Sequence, residues 1–196
     1  MSYGSVGIVP FVLRCHEVIF VIMSTMNKLV IAITGPSGAG KSTVGERVAK
    51  SLERCVNIDA DHVKHMVVSG FYKDSKNPAG WSFNEWALVG ESIGMLAANF
   101  LRNNFSVVIN GYIDEPAWHA IEAQVKIDHK FLLLPNLDVV TNRDKGRRED
   151  IRMGAASVKE HHKTFSTDPF YVAFQKLDTS NHSIEQTVTE IIKCLN

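Results

Sequence analysis

The chain has 196 residues, 45% of them apolar, and its 21 basic residues balance its 21 acidic ones. That length and apolar content suffice for one α/β domain with a substantial core and leave little room for two. A formal net charge of zero argues against a dedicated nucleic-acid binder, whose affinity rests on an excess of Lys and Arg.

Residues 1–26 read as an N-terminal extension, either an overcalled start or a dispensable tail, since Met23 and Met26 lie just before the first convincing strand. Its apolar runs, Val6–Leu13 and Val18–Met23, are interrupted by Arg14, His16 and Glu17. Neither reaches the roughly 20 residues of a membrane span, and a secretory signal would need a basic start that is missing. The three cysteines, Cys15, Cys55 and Cys194, are far apart, odd in number and form no C-x-x-C pair. They predict neither a disulfide framework nor a zinc site and fit a reducing cytoplasm, and the short apolar runs predict no membrane partner.

From residue 27 onward the pattern predicts one α/β domain. Leu29–Ile33 is a nearly continuous apolar run, as in a strand buried on both faces. A glycine-rich turn follows, then a helix from Lys41 to about Leu52, a short strand Cys55–Ile58 and a helix starting near Asp61. Gly70–Ser82, with Gly, Pro, Asn and Trp, predicts a surface loop. Phe83–Arg102 predicts a long helix, because Trp86, Val89, Ile93, Leu96, Ala97 and Phe100 recur at helical spacing. Ser106–Asn110, Lys130–Leu134 and Gln175–Leu177 predict strands, Pro116 a helix start, and Ser183–Leu195 a terminal helix. Strands alternating with helices imply a parallel sheet covered on both faces.

The turn after the first strand carries the chemistry. Gly35-Pro36-Ser37-Gly38-Ala39-Gly40-Lys41-Ser42 fits G-x-x-x-x-G-K-[ST] at every fixed position. Glycines let the backbone wrap around an anion with its N–H groups inward, and the helix that follows adds its partial positive end. Lys41 can then reach the β- and γ-phosphates of ATP, while the Ser42 hydroxyl completes a Mg²⁺ shell. Thr43 closes the nucleotide-binding set. The glycine spacing is not G-x-G-x-x-G, so a dinucleotide-binding turn does not fit.

From Lys28 to Leu195 the chain resembles the small P-loop kinases that include gluconate kinase, adenylylsulfate kinase, chloramphenicol phosphotransferase and the zeta-type toxins. The resemblance implies a three-layer α/β sandwich with a five-stranded parallel sheet, helices on both faces and an Arg-rich lid. Besides the phosphate loop it rests on three segments. Ile58-Asp59-Ala60-Asp61-His62-Val63 resembles the family's aspartate-bearing segment, in which a carboxylate meets the acceptor hydroxyl or the metal. One of Asp59 and Asp61 is expected to be catalytic and the other to cap the helix, and Asp59 joins Ser42 as a candidate metal ligand. Val107–Gly111 resembles the third strand, yet Asn110 stands where the family often has an acidic residue. The third segment, Asn142–Arg152 within a lid near 138–162, implies arginines against the transferring phosphoryl group, for which the planar guanidinium fork is suited. On one continuous helix Arg143 and Arg147 would share a face, away from Arg148 and Arg152, and Gly146 and Gly154 mark candidate breaks. Asp178–Asn181 resembles the adenine-side loop.

These features together predict an ATP-dependent phosphotransferase acting on a small hydroxyl-bearing acceptor as a monomer or homodimer. A toxin-like nucleotide-sugar kinase, or an ATP-hydrolysing switch without an acceptor, are the alternatives. Phe71, Tyr72, Trp81, Phe83, Trp86, Tyr112, Trp118 and His119 are candidates for core or acceptor-pocket positions, with Asn110, Tyr112 and Asp114 able to hydrogen-bond a polyol. His62/His65 and His161/His162 match no strong zinc spacing.

Overall fold

A computed structural model describes residues 28–70 and 82–195. The N-terminal extension, Cys15, Phe71, Tyr72, Trp81 and the Phe83 side chain lie outside the described residues, as does most of the loop expected at 70–82.

Five parallel strands form one sheet in the order β2-β3-β1-β4-β5: β1 Val30–Thr34, β2 Cys55–Asp59, β3 Ser106–Asn110, β4 His129–Leu133 and β5 Gln175–Leu177. The helices are α1 Lys41–Lys50, α2 Ala60–Lys64, α3 Phe83–Arg102, α4 Glu115–Glu122, α5 Leu137–Lys145, α6 Ala155–Thr167 and α7 Ile184–Lys193, with short 3₁₀ turns at Glu149–Ile151 and Pro169–Ala173. Several boundaries differ from the sequence reading by one or two residues. β1 and β4 are each shifted by one residue, β2 runs on to Asp59, and α1 and α7 are shorter than expected, while α2 begins at Ala60, beside the expected start near Asp61.

Strand alternation splits the core in two. Val30, Ala32, Val107, Ile109 and Leu132 face α3, α4, Phe165 and Phe174. Ile31, Ile33, Val108, Phe131 and Leu133 face α1 and Ile191 of α7. Both faces of β1 are therefore buried, which is why it reads as an unbroken apolar run. The layer on the α3 side is tight. A Cβ on Gly90 of α3 would stand 2.3 Å from the carbonyl oxygen of Ala117 in α4, so only glycine lets these helices approach so closely.

Asn110 ends β3 fully buried, and its Nδ2 donates to Asn57 Oδ1 at 2.8 Å. Its side chain lies against α1, where a Cβ on Gly45 would come within 3.0 Å of it. The amide thus packs between β2 and α1.

Candidate active site

The carboxyl ends of the five parallel strands share one edge of the sheet, where ligands of open α/β sheets bind. There Gly35–Gly40 forms a loop between β1 and α1. Gly35 and Gly38 have φ of 148° and 82°, and a Cβ on them would meet Leu133 O at 2.2 Å and Val140 O at 2.7 Å. Two strictures, positive φ and close backbone approach, thus explain the glycines. A Cβ on Gly40 would meet nothing within 4 Å, so the mouth of the loop is open.

Lys41 is 9% exposed, and its Nζ donates to Pro36 O at 3.0 Å across the loop. Burial lowers its pKa to about 8, with Arg147 adding to the fall while Asp61 and Asp59 oppose it. The lysine, one lid arginine and both aspartates are therefore close enough to feel one another. A buried cation over inward-facing glycine backbone fits a phosphate chain, whose charge would offset the desolvation of the ammonium. Ser42 and Thr43 are exposed at the start of α1. Among the described residues no group of three or more His, Cys, Asp or Glu side chains could hold a metal ion unaided. An ion here would need phosphate oxygens beside Ser42 Oγ and a carboxylate, the usual situation for Mg²⁺.

The two aspartates divide in a way their spacing does not reveal. Asp59 is the N-cap of α2: Oδ1 accepts from the N–H groups of Asp61 at 2.9 Å and His62 at 3.4 Å. Asp61, near the expected start of the helix, is half-buried within its first turn and pairs with Lys64 Nζ at 3.4 Å. Of the two carboxylates it exerts the larger effect on Lys41.

The lid breaks at both expected glycines: α5 ends at Gly146 and α6 starts after Gly154. Its two leading arginines then reach different places. Arg147 Nη1 donates to Ser37 Oγ of the phosphate loop at 2.9 Å. Arg143 Nη2 donates to Thr179 O at 3.3 Å. It lines a cleft of about 220 Å³ with Gly40, Thr43, Thr179 and His182, beside the loop expected to meet adenine. Thr179 is 3% exposed and its Oγ1 has no partner among the described residues. A larger groove of about 390 Å³, around Glu46, Lys50 and Cys55, lies beside the C-terminal half of α1 and contains none of these groups. There burial pushes the Cys55 thiol up to about 11.

Within reach of the Lys41 charge is an aromatic cluster. Tyr112 stacks on His161 of α6 at 4.9 Å and packs against Trp86 at 5.7 Å, while Lys64 Nζ lies 5.4 Å from the Trp86 ring centre. Burial, then the charge of Lys41, lowers the pKa of His161, which favours the neutral imidazole. Its Nδ1 is buried without a partner among the described residues. Burial also pushes Tyr112 up to about 12 and raises Asp114, which caps α4 by accepting from Glu115 N at 3.0 Å. Of the aromatic candidates, Trp118 is wholly buried core and His119 is exposed beside Glu115. His161 had no local signal: its tie to Tyr112 exists only in the folded chain.

No curated protein matches the sequence. Among solved structures the chain is similar to a tunicamycin resistance protein of Deinococcus radiodurans, with a TM-score of 0.65 at 15% identity over 86% of this chain and 96% of that one. It is also similar to shikimate kinase of Acinetobacter baumannii solved with shikimate, with a TM-score of 0.61 at 17% identity over 89% and 96%. A gluconokinase of Sinorhizobium meliloti 1021 gives a TM-score of 0.58 at 16% identity over 86% and 91%. At such identities these likenesses show the fold, that of the P-loop kinases. A family model, AAA_33, described as an AAA domain, matches residues 30–169, the stretch that holds the phosphate loop, both aspartates and the lid. The chain therefore belongs to this AAA domain family and is a P-loop kinase-like protein.

Proposed function

We propose that this protein transfers the γ-phosphoryl group of Mg-ATP to a hydroxyl of a small molecule: a sugar acid, a polyol, a nucleoside-like compound or an antibiotic. One observation carries the reading: Lys41 and Arg147 both donate to the glycine-rich loop, to Pro36 O and Ser37 Oγ, at the same end of the sheet where β2 delivers Asp59 and Asp61.

In this reading the loop N–H groups and Lys41 hold the phosphates, and the cleft beside Arg143 and Thr179 takes the adenosine. Ser42, with Asp59 directly or through water, would hold Mg²⁺, which when bound neutralises charge on the phosphate oxygens. Asp59 Oδ1 is engaged by the helix cap, which leaves Oδ2 for that task. Asp61 orients the acceptor hydroxyl and takes its proton as the new O–P bond forms and the bond to the leaving oxygen of ADP breaks. Because the transition state is loose, placing the hydroxyl matters more than the basicity of the carboxylate. Arg147 offers its fork to the transferring group. Tyr112 and His161 form the wall on the acceptor side, with a neutral imidazole able to donate to or accept from a hydroxyl.

The test is mass spectrometry of a metabolite extract incubated with Mg²⁺-ATP and the protein, beside a Lys41→Ala control. A metabolite that gains one phosphoryl group only with the intact protein is the expected result. ATP hydrolysis with no phosphorylated product, or equal turnover by Lys41→Ala, would sink the reading.

A further inference from the structure

The reading above gives no task to a deeply buried carboxylate of the lid. Asp144, in the last turn of α5, is 2% exposed. A carboxylate so placed is costly to bury unless its oxygens are bonded. Here Oδ1 accepts from Met153 N at 3.2 Å and Oδ2 from Gly154 N at 2.9 Å. Those two residues lead into α6, whose own N-cap, Gly154, makes no side-chain cap. Asp144 therefore supplies from ten residues upstream the negative group that a helix N-terminus favours. Arg147 Nη1 lies 3.7 Å from the same carboxylate while donating to Ser37 in the phosphate loop. Arg152 in turn donates to the backbone carbonyl of Arg147 at 2.9 Å.

We propose that Asp144 is the positioning residue of Arg147: it ties the two ends of segment 145–153 together and holds the guanidinium over the phosphate loop before nucleotide arrives. The proposal rests on that loop being the nucleotide site. A free arginine side chain loses much rotamer freedom when it docks, and holding it in place beforehand removes that cost from the binding event. The benefit falls on whatever Arg147 touches, the outer phosphate, and not on the adenosine end.

The test is titration calorimetry with MgADP and with the Mg²⁺ complex of the β,γ-imido analogue of ATP, on the full chain and on D144N, R147A and the double variant. The wild type is expected to prefer the triphosphate analogue. D144N and R147A should each cut that preference about tenfold, the scale of one charge-assisted hydrogen bond. MgADP affinity should stay within about twofold, and D144N should cost nothing more once Arg147 is gone. A wild type with no preference, a D144N that keeps it, equal losses for both nucleotides, or a D144N cost repeated in the R147A background would each overturn the proposal. Asp144→Glu, which keeps the charge but moves it by one methylene, is judged by the same criteria if D144N does not fold. Should the wild type bind neither nucleotide, the phosphate-loop reading itself fails. Trypsin then decides on Asp144, because the lid offers cleavage sites after Lys145, Arg147, Arg148 and Arg152. Faster lid cleavage in D144N supports the tie, and equal rates overturn it.

Discussion

Lys41 is a cation held where its charge is unwelcome until an anion arrives. Its folded pKa, about 8, lies below the ordinary value of 10.5, so between these values the unfolded chain binds the extra proton. Stability therefore rises with pH through that window, and the destabilisation is fully present below pH 8. Lys41→Met should accordingly raise the Tm of the nucleotide-free protein at pH 7, at about 2–4 °C per kcal/mol for a chain of this size. Scanning calorimetry at pH 7 with and without the substitution checks it. The same titration makes MgADP binding weaken as pH climbs past 8, by about tenfold per unit once the free lysine is mostly neutral. Calorimetric titration from pH 7 to 9.5 reads this, and a flat profile would contradict a lysine–phosphate contact. The aspartates separate by a different pair of measurements. Asp59→Ala removes the cap of α2 and should cost about 1 kcal/mol of stability. Asp61→Asn loses a partly exposed ion pair with Lys64 and a favourable charge near the buried Lys41 cation, so it should lower Tm modestly at pH 7 while lowering phosphoryl transfer about a hundredfold or more. Both residues were visible in the sequence as a pair near a strand end. Their division of labour was not, because capping depends on where the strand stops and α2 begins at Ala60.

At the scale of elements, the long helix α3 shows how far periodicity reaches. Its apolar spacing marks it, and the structure has it over Phe83–Arg102 as read. Periodicity cannot say which neighbour fills its face or how close that neighbour comes. Gly90 looks like a weak point in a helix, yet it is where α4 presses in. Gly90→Ala should therefore destabilise by about 1–3 kcal/mol, the overpacking cost prevailing over roughly 1 kcal/mol of better helix propensity. Urea unfolding would measure it against Leu88→Ala, at a position on the same helix that is 48% exposed and is expected to be nearly neutral. The lid gives the converse lesson. Gly146 and Gly154 announced the breaks, but the last turn of α5 holds a carboxylate whose partners lie nine and ten residues on, and no local pattern ties Asp144 to Met153 and Gly154.

For the whole molecule, the sheet order puts β1 between β3 and β4, so the phosphate loop emerges at the centre with Asp59 and Asn110 two and one strands away. The reading of residues 1–26 as dispensable makes a prediction at this scale. A chain begun at Met26 should keep the Tm and the MgADP affinity of the full chain, and a loss of either would give the N-terminal segment a part in the fold or the site. What the sequence by itself determined is whatever a few consecutive residues encode: buried strands by unbroken apolar runs, helices by their period, and the phosphate loop by glycines that must take positive φ next to a lysine. Tertiary structure decided what depends on distant segments meeting. Arg147 reaches a serine 110 residues away in sequence, Arg143 turns instead to the Thr179 carbonyl, and His161 lies on Tyr112. These pairings follow from strand order and from how the lid closes on the sheet. They are set by the packing of the entire core, and no short stretch of sequence carries the information to specify them.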